Sequence, residues 1–443
     1  MTPVTSRHRT EPRRRIGAIA AVCAVAALAL TSCGSATGAT TTGTEGATTQ
    51  PPAAETSPTP SQPDPDTPTA WGPTLGELDD ARSLVASWTP EQLAGQVIVG
   101  RWQGTDPAEA ASMVSDLNLA GVQLTGANIV DEGQVRAVNE AVIAAFATSG
   151  RDFPPVIGVD QEGGAVSHLS GVTTELPAFA EAGRAVSTGG AGAQAVQAAM
   201  TAAALELRDL GFTWVFAPVA DVTIGSADPT IGSRSPSTDP GIAGLTAVAA
   251  IRGYRDAGIV STVKHFPGHG AATEDSHQTL PTLTESLGEL QATDLRPFDV
   301  AIDAGAPAVM VGHLDVTALA PGVPSSLAPQ TYDLLRGDYG FEGVAITDSL
   351  GMGAVMADPS PSVTALNAGA DLLLMPADTR VAHEQVANAI ASGELPRTRA
   401  EEAAARVIAL QRWQQRVGVA TPVPPDAAEQ TAIRVQEMLA VGW

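Results

Sequence analysis

The chain is poor in charge, in aromatic residues and in cysteine. Of its 443 residues 16% are charged, 4% are aromatic and two are cysteines, whereas 44% are hydrophobic. This composition supports a sizeable apolar core and predicts a globular body of one large domain or two ordinary ones. Basic residues are half as numerous as acidic ones, giving a formal charge of −24. Such a surface repels nucleic acid and gains nothing from an anionic bilayer, which favours an uncharged or locally guided substrate.

The amino-terminal apolar run, residues 16–30, is shorter than the roughly twenty residues that a membrane-spanning helix needs. Three arginines precede it, so residues 1–32 are predicted to be a secretory signal peptide. The run ends in Leu-Thr-Ser-Cys33, which resembles the lipobox of bacterial lipoproteins, where the cysteine receives a diacylglycerol thioether. We therefore expect an exported protein, lipid-anchored through Cys33 to the outer face of the cell membrane. An ordinary cleaved signal is the alternative.

Removal of this segment would change the remaining chain in two ways. Residues 1–32 carry five arginines and one glutamate, so the net charge would move from −24 to −28. Cys23 would be lost, which leaves neither a free thiol nor a disulfide. Residues 33–70 are mostly Thr, Pro, Ser, Gly and Ala and are predicted to be a disordered tether. The folded domain is predicted over residues 71–420, followed by a carboxyl-terminal tail, residues 421–443.

Short β-branched runs recur beyond residue 71, separated by alanine-rich segments with helical spacing. Continuous apolar strands that alternate with helices indicate a parallel sheet covered on both faces. Eight units predict an α/β fold, a single-domain (β/α)8 barrel of the TIM type. A doubly wound open sheet is the competitor, although no glycine fingerprint for phosphate follows the first run. The eight runs are residues 96–100, 121–125, 155–160, 212–221, 259–265, 308–313, 343–348 and 371–375.

Ionisable residues stand where five of these runs end. In a barrel such positions meet at the carboxyl-terminal mouth, where active sites are built. A single polar residue at a strand end would mean little, but six at five separate ends indicate a functional site. The six are Asp160, Asp221, Lys264, His265, His313 and Asp348.

The loop at residues 264–280 concentrates titratable groups and raises the alternative of a metal site. His265, His269, His277 and Asp275 could be ligands. The first two histidines, however, are not the helical pair that zinc hydrolases use, and Lys264 would oppose a cation. We therefore predict acid–base chemistry with no metal and no cofactor.

Five motifs follow one another along the chain: DQEGG (160–164), FAPV (216–219), IGSRS (231–235), KHFPGHG (264–270) with EDSHQTLP (274–281), and ITDSLGM (346–352). Together they resemble those of glycoside hydrolase family 3, specifically its bacterial β-N-acetylglucosaminidase branch. The likeness runs from about Leu93 to Arg412 and implies a TIM-type barrel. Many members carry a second α/β domain that supplies a glutamate as acid/base, but only 68 residues, 376–443, follow the eighth run here. The resemblance therefore implies that the proton donor is a histidine of the barrel.

The resemblance assigns three catalytic roles. Asp348 would be the nucleophile that attacks the anomeric carbon, although a helix N-cap is its simpler structural role. His277 would be the acid/base, because an imidazole titrates near neutral pH. Asp275, two residues earlier, would orient that ring and favour its protonated form. Gly268 and Gly270 would let the loop turn sharply.

Sugar hydroxyls would be bound by Asp160, Arg234, Lys264 and His265. A structural ion network of Lys264 with Asp160 or Asp221 is the alternative, and both could hold together. Asp221 is expected to be structural, and His313 is left without a role. The chain also departs from the family pattern. Ala165 and His168 stand where two arginines are usual, and at His168 a sugar contact would be either lost or weakened and made pH-dependent. Pro236 replaces an aromatic residue.

These inferences predict a retaining exo-β-N-acetylglucosaminidase acting on β-linked N-acetylglucosaminides from cell-wall muropeptides or glycans, with no nucleic-acid or protein partner. Three alternatives stay open. Phosphorolysis is one, because a deprotonated histidine is neutral and repels phosphate less than glutamate would. A β-glucosidase specificity on the same site is another. The third, from a different class, is a non-catalytic wall-binding lipoprotein.

Overall fold

The computed structural model describes residues 64–442 except 229, 273 and 277. The predicted signal peptide, Cys33, the tether up to residue 63 and His277 lie outside the described residues. Eight parallel strands form the centre, and two short ribbons, β4 with β5 and β8 with β10, lie outside that sheet. The strands are β1 (Ile98–Gly100), β2 (Gly121–Leu124), β3 (Val156–Val159), β4 (Gln161–Gly163), β5 (Val166–Ser167), β6 (Trp214–Val215), β7 (Val260–Phe266), β8 (Thr282–Leu283), β9 (Ala308–Val311), β10 (Asp315–Val316), β11 (Val344–Thr347) and β12 (Leu373–Leu374).

The central strands form a nearly closed TIM-type barrel. Their order is β12-β1-β2-β3-β6-β7-β9-β11, and a parallel bridge between Ile346 and Leu372 joins the two ends. Seven of the eight lie within one of the eight apolar runs, and β7 extends one residue beyond its run, so the predicted (β/α)8 fold is confirmed and the open-sheet alternative is wrong. All seven residues of β7 are buried, as expected for strands covered on both faces.

Helices surround the barrel, and several of them begin at a side chain that caps the helix. Thr74 and Thr89 form capping boxes with Glu77 and Gln92, and Asp378 accepts two backbone N–H groups at the start of its helix. Among the described residues no helix is both long and apolar enough to span a membrane. The helices are α1 (Leu75–Val85), α2 (Pro90–Gln96), α3 (Pro107–Asp116), α4 (Glu132–Thr148), α5 (Phe179–Ser187), α6 (Gly190–Asp209), α7 (Pro240–Ala257), α8 (Leu287–Ala292), α9 (Arg296–Asp303), α10 (Pro329–Asp333), α11 (Pro361–Ala368), α12 (Thr379–Ser392), α13 (Arg397–Ala420) and α14 (Ala427–Val441).

Ordered structure extends beyond both predicted edges of the domain. Residues 64–70, which the sequence assigns to the tether, include a bridge between Pro68 and Thr74, and Leu75 N–H donates to the carbonyl oxygen of Thr67 at 2.9 Å. At the other end the predicted tail contains α14, which packs on α6 and buries Val435 and Met438. The helix covers apolar side chains that α6 would otherwise expose.

The two-residue strand β12 closes the barrel, and an ion cluster beside it stabilises this closure. Asp371, fully buried just before β12, accepts from Arg336 and Arg399 at 2.5 Å and from Arg406 at 3.1 Å. Burial alone would raise the pKa of Asp371, but the three guanidinium groups lower it to about 2. The carboxylate therefore stays charged, and α13 is fixed to the end of the barrel through Arg399 and Arg406.

Candidate active site

A cavity of about 280 Å³ opens at the carboxyl ends of the barrel strands. Six predicted site residues line it together: Asp160, His168, Arg234, Lys264, His265 and Asp348. Asp275 is not among the described residues of its wall, although the neighbouring Ser276 is. His277 and Cys33 lie outside the described residues, so their roles stay predictions.

Asp348 follows β11 directly and is only partly exposed. Its backbone N–H donates to the carbonyl oxygen of Val311 at 2.9 Å, and its Oδ1 accepts from the Ser349 N–H at 2.7 Å. Enclosure alone would raise the pKa of Asp348, but His313, His265, the Ser349 N–H and Lys264 lower it to about 2. The carboxylate is therefore ionised in the wall of this cavity.

Four charged side chains form a connected cluster on the wall. Lys264 Nζ lies 2.5 Å from Asp160 Oδ1 and 2.6 Å from Glu162 Oε1. Arg234 makes a bidentate pair with Glu162, with Nε–Oε2 and Nη2–Oε1 distances of 2.8 and 2.9 Å. Gln123 Nε2 donates to Asp160 Oδ2 at 2.5 Å. This polar network has the directionality needed to recognise hydroxyl groups.

The side chains of this cluster stabilise one another in their ionised forms. Burial would raise the pKa of Glu162, but Lys264 and Arg234 lower it to about 2. For Lys264, burial would lower the pKa, and the charges of Asp160 and Glu162 more than reverse that effect. The lysine therefore remains a cation although only 2% of its side chain is exposed. The predicted ion pair of Lys264 with Asp160 is present, and the site needs no counter-ion from outside.

His265 is held by Asp221, which is fully buried behind it. Asp221 Oδ2 lies 2.7 Å from His265 Nδ1, and Oδ1 accepts from the backbone N–H groups of His265 and His269. A proton on Nδ1 suits this carboxylate, so Nε2 faces Arg234 Nη2 at 3.4 Å as an acceptor. Burial would raise the pKa of Asp221, but the electrostatic interaction and the hydrogen bond with the His265 ring lower it. Asp221 thus orients the ring, as its expected structural role requires.

The loop after β7 carries the predicted acid/base. Gly268 has φ of +127°, and a Cβ there would lie 2.6 Å from Asp294 Cβ. His269 Nε2 lies 3.0 Å from the hydroxyl of Ser276, and burial followed by the charge of His265 lowers the pKa of His269. Asp275 Oδ2 accepts from Gln278 at 3.4 Å. Among the residues described, no group of three or more His, Cys, Asp or Glu side chains could hold a metal ion.

Three functional residues were not assigned from the sequence. Glu162 stood within the DQEGG motif without a role, yet it joins Lys264 to Arg234. Gln123 lies within β2 and is a polar residue inside an apolar run. His313 is buried, with Nδ1 2.7 Å from the Ser326 hydroxyl and Nε2 2.9 Å from the Ser349 carbonyl oxygen. A polar residue within or just after a buried strand was the available signal for the last two.

The segment that departs from the family pattern forms the β4–β5 turn. Gly163 and Gly164 have φ of +95° and +59°, which glycine adopts without strain. Ala165 is exposed at the turn, and His168 comes back to the cavity wall with its backbone N–H donating to the carbonyl oxygen of Asp160 at 3.3 Å. The substituted positions therefore differ: His168 faces the cavity, while Ala165 lies at the surface.

A TIM-type barrel with an ionised aspartate and a cluster of charged side chains at its mouth has the architecture of the glycoside hydrolases, the class to which this enzyme belongs. The family model described as "Glycosyl hydrolase family 3 N terminal domain" matches residues 89–410. The chain therefore belongs to glycosyl hydrolase family 3, within its β-N-acetylglucosaminidase branch.

Three relatives illustrate the similarity. A beta-hexosaminidase of Stenotrophomonas maltophilia (strain K279a) is 36% identical over 262 residues, which are 58% of this chain and 76% of that protein. Beta-hexosaminidase LpqI of Mycobacterium tuberculosis is 31% identical over 339 residues, 72% of this chain and 81% of that protein. The structure of a family 3 β-N-acetylglucosaminidase from Paenibacillus sp. str. FPU-7 has a TM-score of 0.72 at 30% identity, over 80% of this chain and 69% of that chain.

Proposed function

We propose that this glycoside hydrolase is a retaining exo-β-N-acetylglucosaminidase that works through a covalent glycosyl-aspartate intermediate. The observation that carries the proposal is the state of Asp348, a carboxylate with a pKa of about 2 in the wall of a closed-ended cavity, opposite a polar cluster. An ionised carboxylate can attack the anomeric carbon at any ordinary working pH.

The nucleophile lies among groups that favour its charged form. His313, His265 and Lys264 all interact with Asp348 electrostatically and lower its pKa. Lys264 would not oppose positive charge that develops on the sugar ring, because Asp160 and Glu162 neutralise it. The neutralisation of Lys264 permits an oxocarbenium-like transition state beside it.

The proton would be supplied by His277, with Asp275 as its partner. Support comes from its neighbour in the chain: Ser276 lines the cavity and contacts His269. His277 follows Ser276 directly in the sequence. It could protonate the leaving oxygen in the first step and deprotonate water in the second.

The substrate that we propose is a terminal β-linked N-acetylglucosamine of cell-wall muropeptides or related glycans. The names of the relatives support the sugar. The small cavity supports exo cleavage, because about 280 Å³ suits one sugar unit rather than a chain. We further propose that Cys33 is lipidated and holds the enzyme at the outer face of the cell membrane, close to such saccharides.

Turnover of an aryl N-acetyl-β-glucosaminide by wild type and Asp348→Ala tests the proposal. Loss of the nucleophile should lower kcat by about 10⁴-fold or more. Azide should then restore activity and give the α-glycosyl azide, since a small anion replaces the missing carboxylate. In His277→Ala, azide should give the β-glycosyl azide instead. Activity that survives Asp348→Ala without azide would contradict the proposal.

The open alternatives are separated by the same assay. Glucosaminyl 1-phosphate formed in phosphate buffer would identify a phosphorylase. Faster cleavage of an aryl β-glucoside than of the N-acetylglucosaminide would indicate β-glucosidase specificity. Binding of a muropeptide with no sugar release by the pure wild type would favour the non-catalytic wall-binding lipoprotein.

A further inference from the structure

A second cavity, of about 250 Å³, lies at the opposite end of the barrel from the active site. Its wall includes Asn118 and Arg151, which precede strands β2 and β3, whereas Asp160 and Asp348 follow strands. Because the barrel strands are parallel, residues before and after them lie at opposite ends. Arg412 of α13 completes the cavity. A ligand bound here would not compete with the substrate for space.

Among the residues described, Arg151 is paired with no carboxylate. Its Nη1 donates to the carbonyl oxygens of Asn118 and Leu119 at 3.1 and 2.7 Å, and its Nε donates to the Ser149 hydroxyl at 2.7 Å. The guanidinium also lies over the Phe146 ring, with Cζ 3.4 Å from the ring centroid. Nη2 is buried and has no hydrogen-bond partner among the described residues. Burial without an opposing charge lowers the pKa of Arg151 to about 9. These contacts satisfy Nη1 and Nε but leave Nη2 without an acceptor.

Arg412 brings a second guanidinium to the same cavity. It pairs with Asp152 at 3.3 Å, but that carboxylate is 76% exposed, so water and salt compete for the contact. In a chain with twice as many acidic as basic residues, a cavity with two arginines and one exposed acid is an exception. The charges of this cavity, taken together, favour an anion.

The remaining wall has both polar and apolar parts. The amide side chains of Gln92 and Asn118 can donate further hydrogen bonds, and Trp88 and Leu84 provide an apolar surface. Inorganic ions need no such apolar surface. A ligand with an anionic head and a small apolar or aromatic part uses the whole cavity.

We propose that this cavity binds a small organic oxyanion, with its carboxylate or phosphate held by Arg151 and Arg412 and its apolar part against Trp88. Guanidinium groups suit both oxyanions because their planar N–H pairs match two oxygens at once. The site is independent of the sugar chemistry at the other end of the barrel.

Titration calorimetry with the purified enzyme at constant ionic strength tests the proposal, using phenyl phosphate, benzoate and neutral benzyl alcohol. At least one anion should bind saturably at one site, and benzyl alcohol should bind at least tenfold more weakly. Arg412→Gln should weaken anion binding by about tenfold, the loss of one charge-assisted contact. Asp152→Asn should strengthen it, because the competing carboxylate is removed. Arg82→Gln, which changes an exposed arginine elsewhere, is the matched control.

Opposite effects of the two substitutions distinguish a binding site from a structural role for these arginines. Asp152 is so exposed that its substitution should leave folding intact, so the test does not depend on Arg412→Gln alone. The proposal is overturned if neither anion binds saturably, or if Arg412→Gln and Asp152→Asn both bind like wild type. It is also overturned if the anion competes with the aryl glycoside, because binding would then be in the active site.

Discussion

Glu162 holds two cations of the active site in place. Both of its oxygens are used, one shared by Lys264 and Arg234 and the other bound by Arg234. Its side chain is only 2% exposed. Removing the charge would leave Arg234 without its carboxylate and Lys264 with Asp160 alone. The residue therefore matters for folding as well as for the shape of the sugar site.

Glu162→Gln should lower the free energy of unfolding by about 3 to 5 kcal/mol near pH 7, the usual cost of breaking a buried ion pair. The folded-state pKa is about 2 and the unfolded value 4.5, so this stabilisation is complete above pH 4.5 and disappears as the pH falls towards 2. Denaturant unfolding at pH 7 and pH 3.5 should show a smaller difference from wild type at the lower pH.

Glu437→Gln is the control for this experiment, because its pair with Arg434 is solvent-exposed and should contribute less than about 1 kcal/mol. A difference between Glu162→Gln and wild type that stays constant down to pH 3.5 would contradict the assigned ionisation.

At the scale of residues, the sequence predicts which residues belong to the site better than it predicts which of them contact one another. Lys264, Asp160 and Asp348 could be named because each ends an apolar run. Glu162 and Gln123 could not be given roles, since their contacts join residues far apart in the chain. His277 remains a prediction that rests on the motif around it.

The loop after β7 depends on a glycine at its start. Gly268→Ala would place a methyl group 2.6 Å from Asp294 Cβ and would strain a backbone with φ of +127°. The loop should shift, and because catalysis is sensitive to displacements of about 1 Å, kcat should fall by roughly 10²-fold. Stability should fall by about 1 to 3 kcal/mol from the backbone strain. Steady-state kinetics and thermal unfolding measure the two effects.

Gly288→Ala provides the matched control on α8, where a Cβ would meet nothing within 4 Å. It should leave kcat unchanged. Equal kinetics for both alanine variants would show that the position of the loop does not depend on Gly268.

Helix α14 should contribute to stability although it lies outside the barrel. Val435 is buried against α6, whereas the next residue, Gln436, is exposed. Val435→Asp buries a charge and should destabilise the protein by about 3 kcal/mol or more, while Gln436→Asp should stay within about 0.5 kcal/mol. Chemical denaturation compares them. If the two variants unfold alike, α14 does not pack as described.

Secondary-structure elements with a strong hydrophobic pattern could be predicted from the sequence, and those without such a pattern could not. The eight barrel strands follow from their unbroken apolar runs. The two-residue strands of the β8–β10 ribbon have no pattern of their own and depend on the fold for their pairing. Helix α14 lacks a strong apolar stripe and follows a proline-rich break, so it was predicted only as a tail.

For the whole molecule, the lipid anchor is the main untested prediction. In a bacterium that processes lipoproteins, the wild-type protein should sediment with membranes and incorporate labelled fatty acid. Cys33→Ala should do neither, and should keep its activity on a soluble aryl glycoside, because residue 33 precedes the described barrel. Identical fractionation of the two proteins would contradict the anchor.

The overall architecture was accessible from sequence because repeated strand–helix units fix a barrel. The anion cavity was not accessible, since Arg151 and Arg412 come together only when α13 packs across the amino ends of the strands.

The ion cluster around Asp371, beside β12, has a consequence for the order in which the protein folds during synthesis. Asp371 takes one arginine from earlier in the chain, Arg336, and two from later, Arg399 and Arg406. Because synthesis starts at the amino end, Asp371 lacks two of its three arginine partners until α13 has been synthesised. Until then the barrel lacks two of the ion pairs that stabilise its closure, so we expect it to close stably only after α13 has been synthesised.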